Sequence, residues 1–399
     1  MNLSHKIKLY PNASARSYFE RACGTARFAY NWGLAQALQD RDKGLKTPSG
    51  FDIHKRLTSV KKTEFPWMYE LSKWIPQYAI YNVEDAFKRF FGKVAKFPKF
   101  KSKRRSKKTF SLGQAAIKVQ GKRLKIANLD TRIKMAQEIR FPGKILAVTV
   151  SQDSDGAWYA SFSIEVDSSY QYPHQCETQA LIGIDVGLQD FCVTSTGERV
   201  SNPRFYRKLE RKLARAQRAL ARCTKGSNRR ARAKLAVGKV HAKIRRKRLD
   251  FLHQLSSRLV REYRTIGVES QNVKGLVRTR LAKSVSDAGW SEFKRQLEYK
   301  STLSGSLIVH ADRFYPSSKT CHVCQNVRDS LSLSEREWMC TACGAQHDRD
   351  LNAARNLAAV ALRHRETENA HGEDVRPPRR KPRRRTSVKC ESTASINLC

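Results

Sequence analysis

Acidic residues are scarce in this chain. Over 399 residues, 36 Asp and Glu face 78 Lys and Arg, for a formal net charge of +42 and a pI near 10.3. A compact fold at that charge repels itself unless a polyanion or counterions neutralise it. Nucleic acid is the expected polyanion, and an anionic membrane surface is the weaker alternative. Long apolar runs are also missing. No stretch approaches the roughly 20 residues that a membrane-crossing helix requires. The opening residues, MNLSHKIKLYPN, hold no apolar signal core. The two absences together lead to the expectation of an intracellular protein. Internal repeats are absent as well. Hydrophobic residues are not scarce: at 40% they suffice for real cores, which excludes wholesale disorder. The length allows two or three domains.

Periodicity divides the chain. Residues 14–40 carry Phe19, Ala22, Ala26, Tyr30 and Leu34 at helical spacing, and 71–92 continue helical with Trp74, Tyr78, Tyr81, Phe87, Phe90 and Phe91. Most of those rings are expected in a helical core, with one or two free to stack on bases. From 96 to 108, KFPKFKSKRRSKK puts eight bases into thirteen residues and breaks the helix at Pro98. A β-rich region follows. One strand spans Leu146 to Val150, a second alternates Trp158, Ala160, Phe162, Ile164 and Val166, and Asp155-Gly156 marks a hairpin turn between them. A polar linker is expected near 167–179. LIGIDVG, FCVTST and RTIGVES then read as short buried strands. Between the second and third, residues 204–248 hold nineteen Lys and Arg and one acid, Glu210, on a helical stripe. Acids that normally balance a solvated face are missing there, so phosphate contact is expected. RPPRRKPRRR at 376–385 reads as a disordered, polyanion-binding tail.

Ten cysteines are present, and a reducing compartment argues against a disulfide frame. Cys23, Cys176, Cys192, Cys223, Cys390 and Cys399 are scattered and read as packing or idle thiols. The other four form two Cys-x-x-Cys pairs, Cys321 with Cys324 and Cys340 with Cys343, fifteen residues apart. That spacing predicts one structural Zn²⁺ held by four thiolates, with no position open for catalysis.

Three carboxylates stand in unusual places. Asp185 lies inside an apolar strand, where it is costly unless paired, hydrogen-bonded or metal-bound. Glu269 ends the strand of RTIGVES, and Asp350 precedes the Ala-rich LNAARNLAAVALR. Each has a plain alternative: Asp350 as a helix N-cap, Glu269 as a surface acid at a strand end. Gathered in one cleft they would repel, and a shared divalent cation would relieve that repulsion.

The runs GIDVGLQDFCVTSTGE, GVESQNVKGL, DAGWSEFKRQLEYKS and YPSSKTCHVC…CTACGAQHDRDLNAARNL resemble, in order and spacing, the TnpB/OrfB family of transposon-associated proteins related to type V CRISPR effectors. YPNASARSYFERACGTARFAYNWGL resembles that family's opening segment, so the resemblance covers most of the chain up to about 364. It implies a multidomain α/β plus all-β architecture. An RNase H-like RuvC nuclease domain (180–310 and 345–363) would carry the basic helical segment and enclose a zinc ribbon (311–344). A β-barrel wedge domain (1–13 and 93–175) would carry a helical recognition insertion (14–92), and 364–399 would be a disordered basic tail. It implies an RNA-guided, Mg²⁺-dependent DNA endonuclease of the prokaryotic cytoplasm and nucleoid. Asp185, Glu269 and Asp350 would bind two Mg²⁺, with Asp348 the neighbouring candidate for the third place. The implied partners are one structured guide RNA from the transposon end per protein and double-stranded target DNA cut beside a short transposon-adjacent motif. The rival readings are a catalytically silent RNA-guided DNA-binding regulator and an accessory DNA-binding transposition protein. The first knuckle departs from the family pattern: Gln325 stands where glycine commonly follows the second cysteine. Glycine tolerates positive φ and glutamine does not, so a distorted turn and altered zinc affinity are expected. His322 and His347 are expected to be bystanders.

Overall fold

The first strand, β1 (Asn2–Tyr10), turns Leu3, His5, Ile7 and Leu9 inward and the residues between them outward. This is the alternation of a half-buried strand, and it seeds a large antiparallel sheet. The computed structural model describes residues 1–167, 176, 178–332 and 334–370. These fall into two compact units, 1–167 with 234–239, and 178–233 with 240–370.

In the first unit β1 leads into α1 (Ala13–Asp42), α2 (Gly50–Glu64) and α3 (Trp74–Phe91), then β2 (Thr109–Gly113), β3 (Ile117–Gln120), β4 (Arg123–Ile126), β5 (Ile133–Met135), β6 (Lys144–Gln152) and β7 (Trp158–Glu165). Asn12 caps α1 by accepting from Ala15 N at 2.8 Å, and Phe19, Ala22, Ala26, Tyr30 and Leu34 are all buried as their spacing predicts. The rings of α3 depart from expectation. Only Phe87 of the six is fully buried; the core stripe is Ile75, Ala79, Ile80 and Val83. Slim aliphatic side chains let α3 lie against α1, while the bulkier rings spread over its flanks. The strand order β2-β6-β7-β1-β5-β4-β3 puts consecutive β2 and β3 at opposite edges, joined by one short turn of 3₁₀ helix. The sheet therefore curls into a nearly closed barrel, which leaves little edge exposed. Asp155-Gly156 makes the predicted β6–β7 turn, with Gly156 at φ +81°.

The second unit contains β8 (Leu181–Val186), β9 (Asp190–Thr194), β10 (Arg199–Ser201), α4 (Phe205–Ala221), α5 (Asn228–Glu262), β11 (Thr265–Val268), α6 (Val273–Leu276), α7 (Ala282–Ala288), α8 (Trp290–Ser304), β12 (Leu307–His310), β13 (Glu337–Met339), β14 (Gln346–Asp348) and α9 (Arg349–Ala370). Its main sheet runs β10-β9-β8-β11-β12; the first three strands are antiparallel, and β8, β11 and β12 are parallel. Ile182, Ile184, Phe191, Ile266, Leu252, Phe293 and Leu297 fill a core between sheet and helices. The basic stretch forms two helices, α4 and α5.

Two boundaries differ from the sequence reading. β14 pairs with β13, Glu337 opposite Asp348, so this hairpin runs past 344. α9 continues to Ala370, past 363. The basic run at 376–385, Cys390, Cys399 and most of the 167–179 linker lie outside the described residues. Among the described residues no helix is long and apolar enough to cross a membrane.

Candidate metal centres

β8 and β11 are parallel neighbours with Ile184 opposite Val268. Continued by one residue, that register sets Asp185 beside Glu269, on strands about 4.8 Å apart. Side chains two apart share a face, so Asp185 points with Gly183 and Glu269 with Gly267. Both glycines are places where a helix touches the sheet. A Cβ on Gly183 would sit 1.9 Å from the Ala354 carbonyl oxygen, and one on Gly267 would sit 2.2 Å from that of Leu357. α9 therefore lies directly on the face that carries the two acids. Asp350, Ala354, Leu357 and Ala361 follow each other at four, three and four residues, one helical stripe, and the last three are buried. Asp350 heads that stripe in the first turn of α9, over the strand ends.

Asp185 feels the charge of the other two carboxylates. The Asp185 pKa is pushed up from 3.8 to about 8, first because protein encloses the carboxyl, then because Glu269 and Asp350 repel its charge. Gln271 Nε2 donates to Glu269 Oε2 and to the Val186 carbonyl, both at 3.2 Å, which ties Glu269 to the end of β8. Arg336 Nη1 reaches both oxygens of Asp350, at 3.3 and 3.2 Å. Asp348 is committed elsewhere. Its Oδ1 accepts from Leu351 N at 2.9 Å and caps α9, and its Oδ2 accepts from Arg199 Nη2 at 2.6 Å. The capping role considered for Asp350 thus belongs to Asp348. Glu269 also lines an open pocket of about 340 Å³ with Gln271, Asn272 and Arg313. Among the described residues only the four cysteines have ligand atoms all within 4.8 Å of one another, so the three acids stand wider apart than a closed metal cluster. Acids at the carboxyl ends of parallel strands, beside an open pocket, suit hard cations such as Mg²⁺, whose shell water oxygens can complete.

The four thiols of Cys321, Cys324, Cys340 and Cys343 lie within 4.8 Å of one another. The Cys321–Cys343 and Cys324–Cys340 sulfurs are 3.7 and 3.6 Å apart. A tetrahedron with metal–sulfur bonds of about 2.3 Å has edges of about 3.8 Å, so the cluster suits Zn²⁺. Backbone N–H groups of Cys343 and Ala342 hold the Cys340 thiol down to about 6, while the neighbouring Cys324 thiol helps push Cys343 up to about 12, so without a metal the thiols share their protons unequally. The two knuckles match: Gln325 N donates to the Cys321 carbonyl and Gly344 N to that of Cys340, each at 2.9 Å. Gln325 takes φ +63° where Gly344 takes +69°, so the turn is kept and the strain is carried by the glutamine. His347 is no bystander in packing, since its Nε2 lies 3.1 Å from the Cys321 sulfur and its ring is buried. His322 contacts α9 instead, through Asn352 and Arg355.

Sequence reasoning missed Gly183, Gly267, Arg336 and the Asn352–Asn356 pair. The glycines had a signal, each standing two residues before an acid in a buried strand; Arg336 had none. On α4 and α5, Arg207, Lys208, Arg211, Lys212, Arg215, Arg218, Arg229, Arg232 and Lys243 are exposed, a cationic surface suited to phosphates.

Known proteins resemble this chain over most of its length. The family described as "Probable transposase" (OrfB_IS605) matches residues 160–280, a "Cas12f1-like, TNB domain" matches 290–357, and a "Helix-turn-helix domain" matches 1–46. In this chain that last segment is the strand β1 followed by the single helix α1. A Streptomyces pristinaespiralis protein named "Putative RNA-guided DNA endonuclease" is 37% identical over 98% of this chain and 97% of its own length. Escherichia coli K12 "Putative RNA-guided DNA endonuclease InsQ" is 28% identical over 89% of this chain and 91% of its own. Among solved structures, the protein of a Cas12f1–sgRNA–target DNA complex shares the fold, with a TM-score of 0.53 at 14% identity, covering 86% of this chain and 82% of that one.

Proposed function

The chain belongs to the TnpB/OrfB family, and from that premise we propose that it is an RNA-guided DNA endonuclease. A guide RNA from the transposon end would select double-stranded DNA beside a short flanking motif. Base pairing would supply sequence specificity while the protein reads backbone shape. The observation that carries the nuclease reading is the convergence of Asp185, Glu269 and Asp350 on one face at the ends of β8 and β11. The mixed five-stranded sheet that delivers them supports an RNase H-like RuvC assignment for the second unit. The nearly closed barrel and the α1–α3 helices support the wedge and recognition assignments in the first.

The three carboxylates would hold the Mg²⁺ ions, whose chemistry when bound is to activate a water and stabilise the leaving oxygen of a phosphodiester. The residues supply the rest. Asp185 must give up its proton to become a ligand. Gln271 keeps Glu269 turned toward β8. Arg336 pairs with Asp350 at 3.2 Å and offsets part of its charge. The four cysteines would hold one structural Zn²⁺, and α4 and α5 would contact the phosphates of RNA or heteroduplex.

The test is to purify the protein with co-expressed RNA from its transposon end and supply matched target DNA with Mg²⁺. The expected outcome is cleavage of the matched duplex and a loss of about 10³-fold or more in Asp185→Ala, the scale of several kcal/mol of transition-state stabilisation. An Asp185→Ala protein that cuts like wild type sinks the assignment of the acids. Guide-dependent binding with no cutting at any Mg²⁺ concentration would instead identify a silent regulator.

A further inference from the structure

The zinc cluster and the acid cluster are joined by a set of buried amides. Asn352 and Asn356, one turn apart on α9, are both buried, with relative exposures of 2% and 0%. Asn352 Nδ2 donates to the Thr320 carbonyl at 2.7 Å, and Asn356 Nδ2 donates to the carbonyls of Ser317 and Thr320 at 2.8 and 2.6 Å. On its other side Asn352 Oδ1 accepts from the His322 backbone N–H at 3.1 Å and meets His322 Nδ1 at 3.0 Å. A backbone N–H can only donate and a carbonyl can only accept, so the amide orientation is fixed from both ends. The ring orientation is fixed too. His322 Nδ1 faces an acceptor and Nε2 faces Arg355 Nη1 at 3.0 Å, which only donates, so the proton sits on Nδ1.

Thr320 and His322 flank Cys321, the first ligand of the zinc cluster. Asn352 lies two residues after Asp350. The second knuckle reaches the same place by another route. After Cys343 the chain forms β14, runs into α9, and returns the Arg349 N–H to the Arg336 carbonyl at 2.8 Å, while the Arg336 side chain holds Asp350. A metal held by the four thiols would therefore fix both supports of the first turn of α9. On its sheet side that helix has no slack, because Gly183 and Gly267 already touch its backbone.

We propose that the zinc ribbon is a positioning element of the nuclease centre, with Asn352, Asn356 and His322 as the positioning residues that set where Asp350 stands relative to Asp185 and Glu269. The inference rests on the reading of those acids as the metal site. Removal of an outer support of a metal ligand typically costs roughly 10–100-fold in metal affinity.

The experiment uses the full chain with its bound RNA, as wild type, Asn352→Leu, His322→Ala and Asp185→Ala. Asn352→Leu removes the amide at the centre of the clasp, and His322→Ala removes the ring contacts to Asn352 and Arg355 while leaving the backbone bond, so one variant informs if the other does not fold. Three quantities are measured: zinc per chain, Mn²⁺ affinity by electron paramagnetic resonance, and the Mg²⁺ concentration for half-maximal cleavage. The RNA's own Mn²⁺ sites are common to all four proteins. Expected for the clasp variants are one zinc retained, Mn²⁺ affinity lowered roughly tenfold or more, and cleavage recovering at high Mg²⁺. A purely structural role would lower the folded fraction and leave the affinity of the folded protein unchanged. Wild-type Mn²⁺ affinity and Mg²⁺ dependence in a folded clasp variant overturn the proposal. If Asp185→Ala removes a Mn²⁺ site and the clasp variants do not weaken it, only this inference fails. If Asp185→Ala removes none, the reading of the acids fails first.

Discussion

The chain holds two ligand sets, and they are built in opposite ways. The four thiols come from one short segment, stand at tetrahedral spacing and are bound into matched turns. The three acids come from positions 185, 269 and 350, are brought together only by the sheet and α9, and repel one another. One set is a local fold that a metal completes. The other is a strained arrangement that the rest of the fold enforces. Metal should therefore be a condition of folding at the thiols and a relief of strain at the acids.

The largest effect expected from this contrast is at the thiols. Cys340→Ser should lose the zinc and expose 311–348 to limited proteolysis, since such binding can contribute about 10–16 kcal/mol to folding a small unit. A ribbon that stays zinc-loaded and protease-resistant would break the comparison. Loss of a ligand from the acid set should have the opposite sign. Asp185→Asn should stabilise the metal-free protein at pH 8 by about 2 kcal/mol, well below the full shift because the residue keeps some solvent contact. The direction follows from linkage. The folded-state pKa of Asp185, about 8, lies above its unfolded value of 3.8. The wild type is therefore unpenalised below about pH 4 and loses stability as pH rises toward 8. Chemical denaturation of both proteins at pH 4.5 and pH 8, in chelator, should show the gap opening with pH. Added Mg²⁺ should raise the wild-type midpoint at pH 8 and leave Asp185→Asn nearly unmoved. The smallest effect is at Gln325. Relieving its left-handed backbone with Gln325→Gly should slow zinc release to a chelator by a factor corresponding to about 1 kcal/mol. Gly344→Gln should speed release by a similar factor, which tests whether the two knuckles are equivalent.

The same contrast explains what the sequence made legible. Cysteine spacing is a local pattern, so the thiol cluster could be read from Cys321 to Cys343 alone. The core of α1 was legible because burial follows a 3.6-residue period. Asp185 was conspicuous as a charge inside an apolar strand, but nothing local says that Glu269 and Asp350 meet it; the family resemblance made that link. The physical reason lies in the parallel pairing of β8 with β11 and the seating of α9 on two glycines, which are long-range facts. The rings of α3 misled because aromatic residues suit both a core and a flank, and only the aliphatic stripe packs closely enough against α1. Gln325 was read correctly as a residue ill-suited to its turn. The structure shows the backbone imposing positive φ on it instead of the turn distorting.

The seating of α9 also has a consequence for the order of events during synthesis. About 165 residues separate Asp185 from Asp350, which a ribosome adds in roughly 10–30 s at 5–20 residues per second. Until α9 emerges, β8 and β11 have no helix over Gly183 and Gly267, and the first two acids have no third partner. Every strand of the barrel in the first unit is already translated by then. The acid set is thus the last of the two ligand sets that can be assembled, because Asp350 arrives only with α9, after the fourth cysteine.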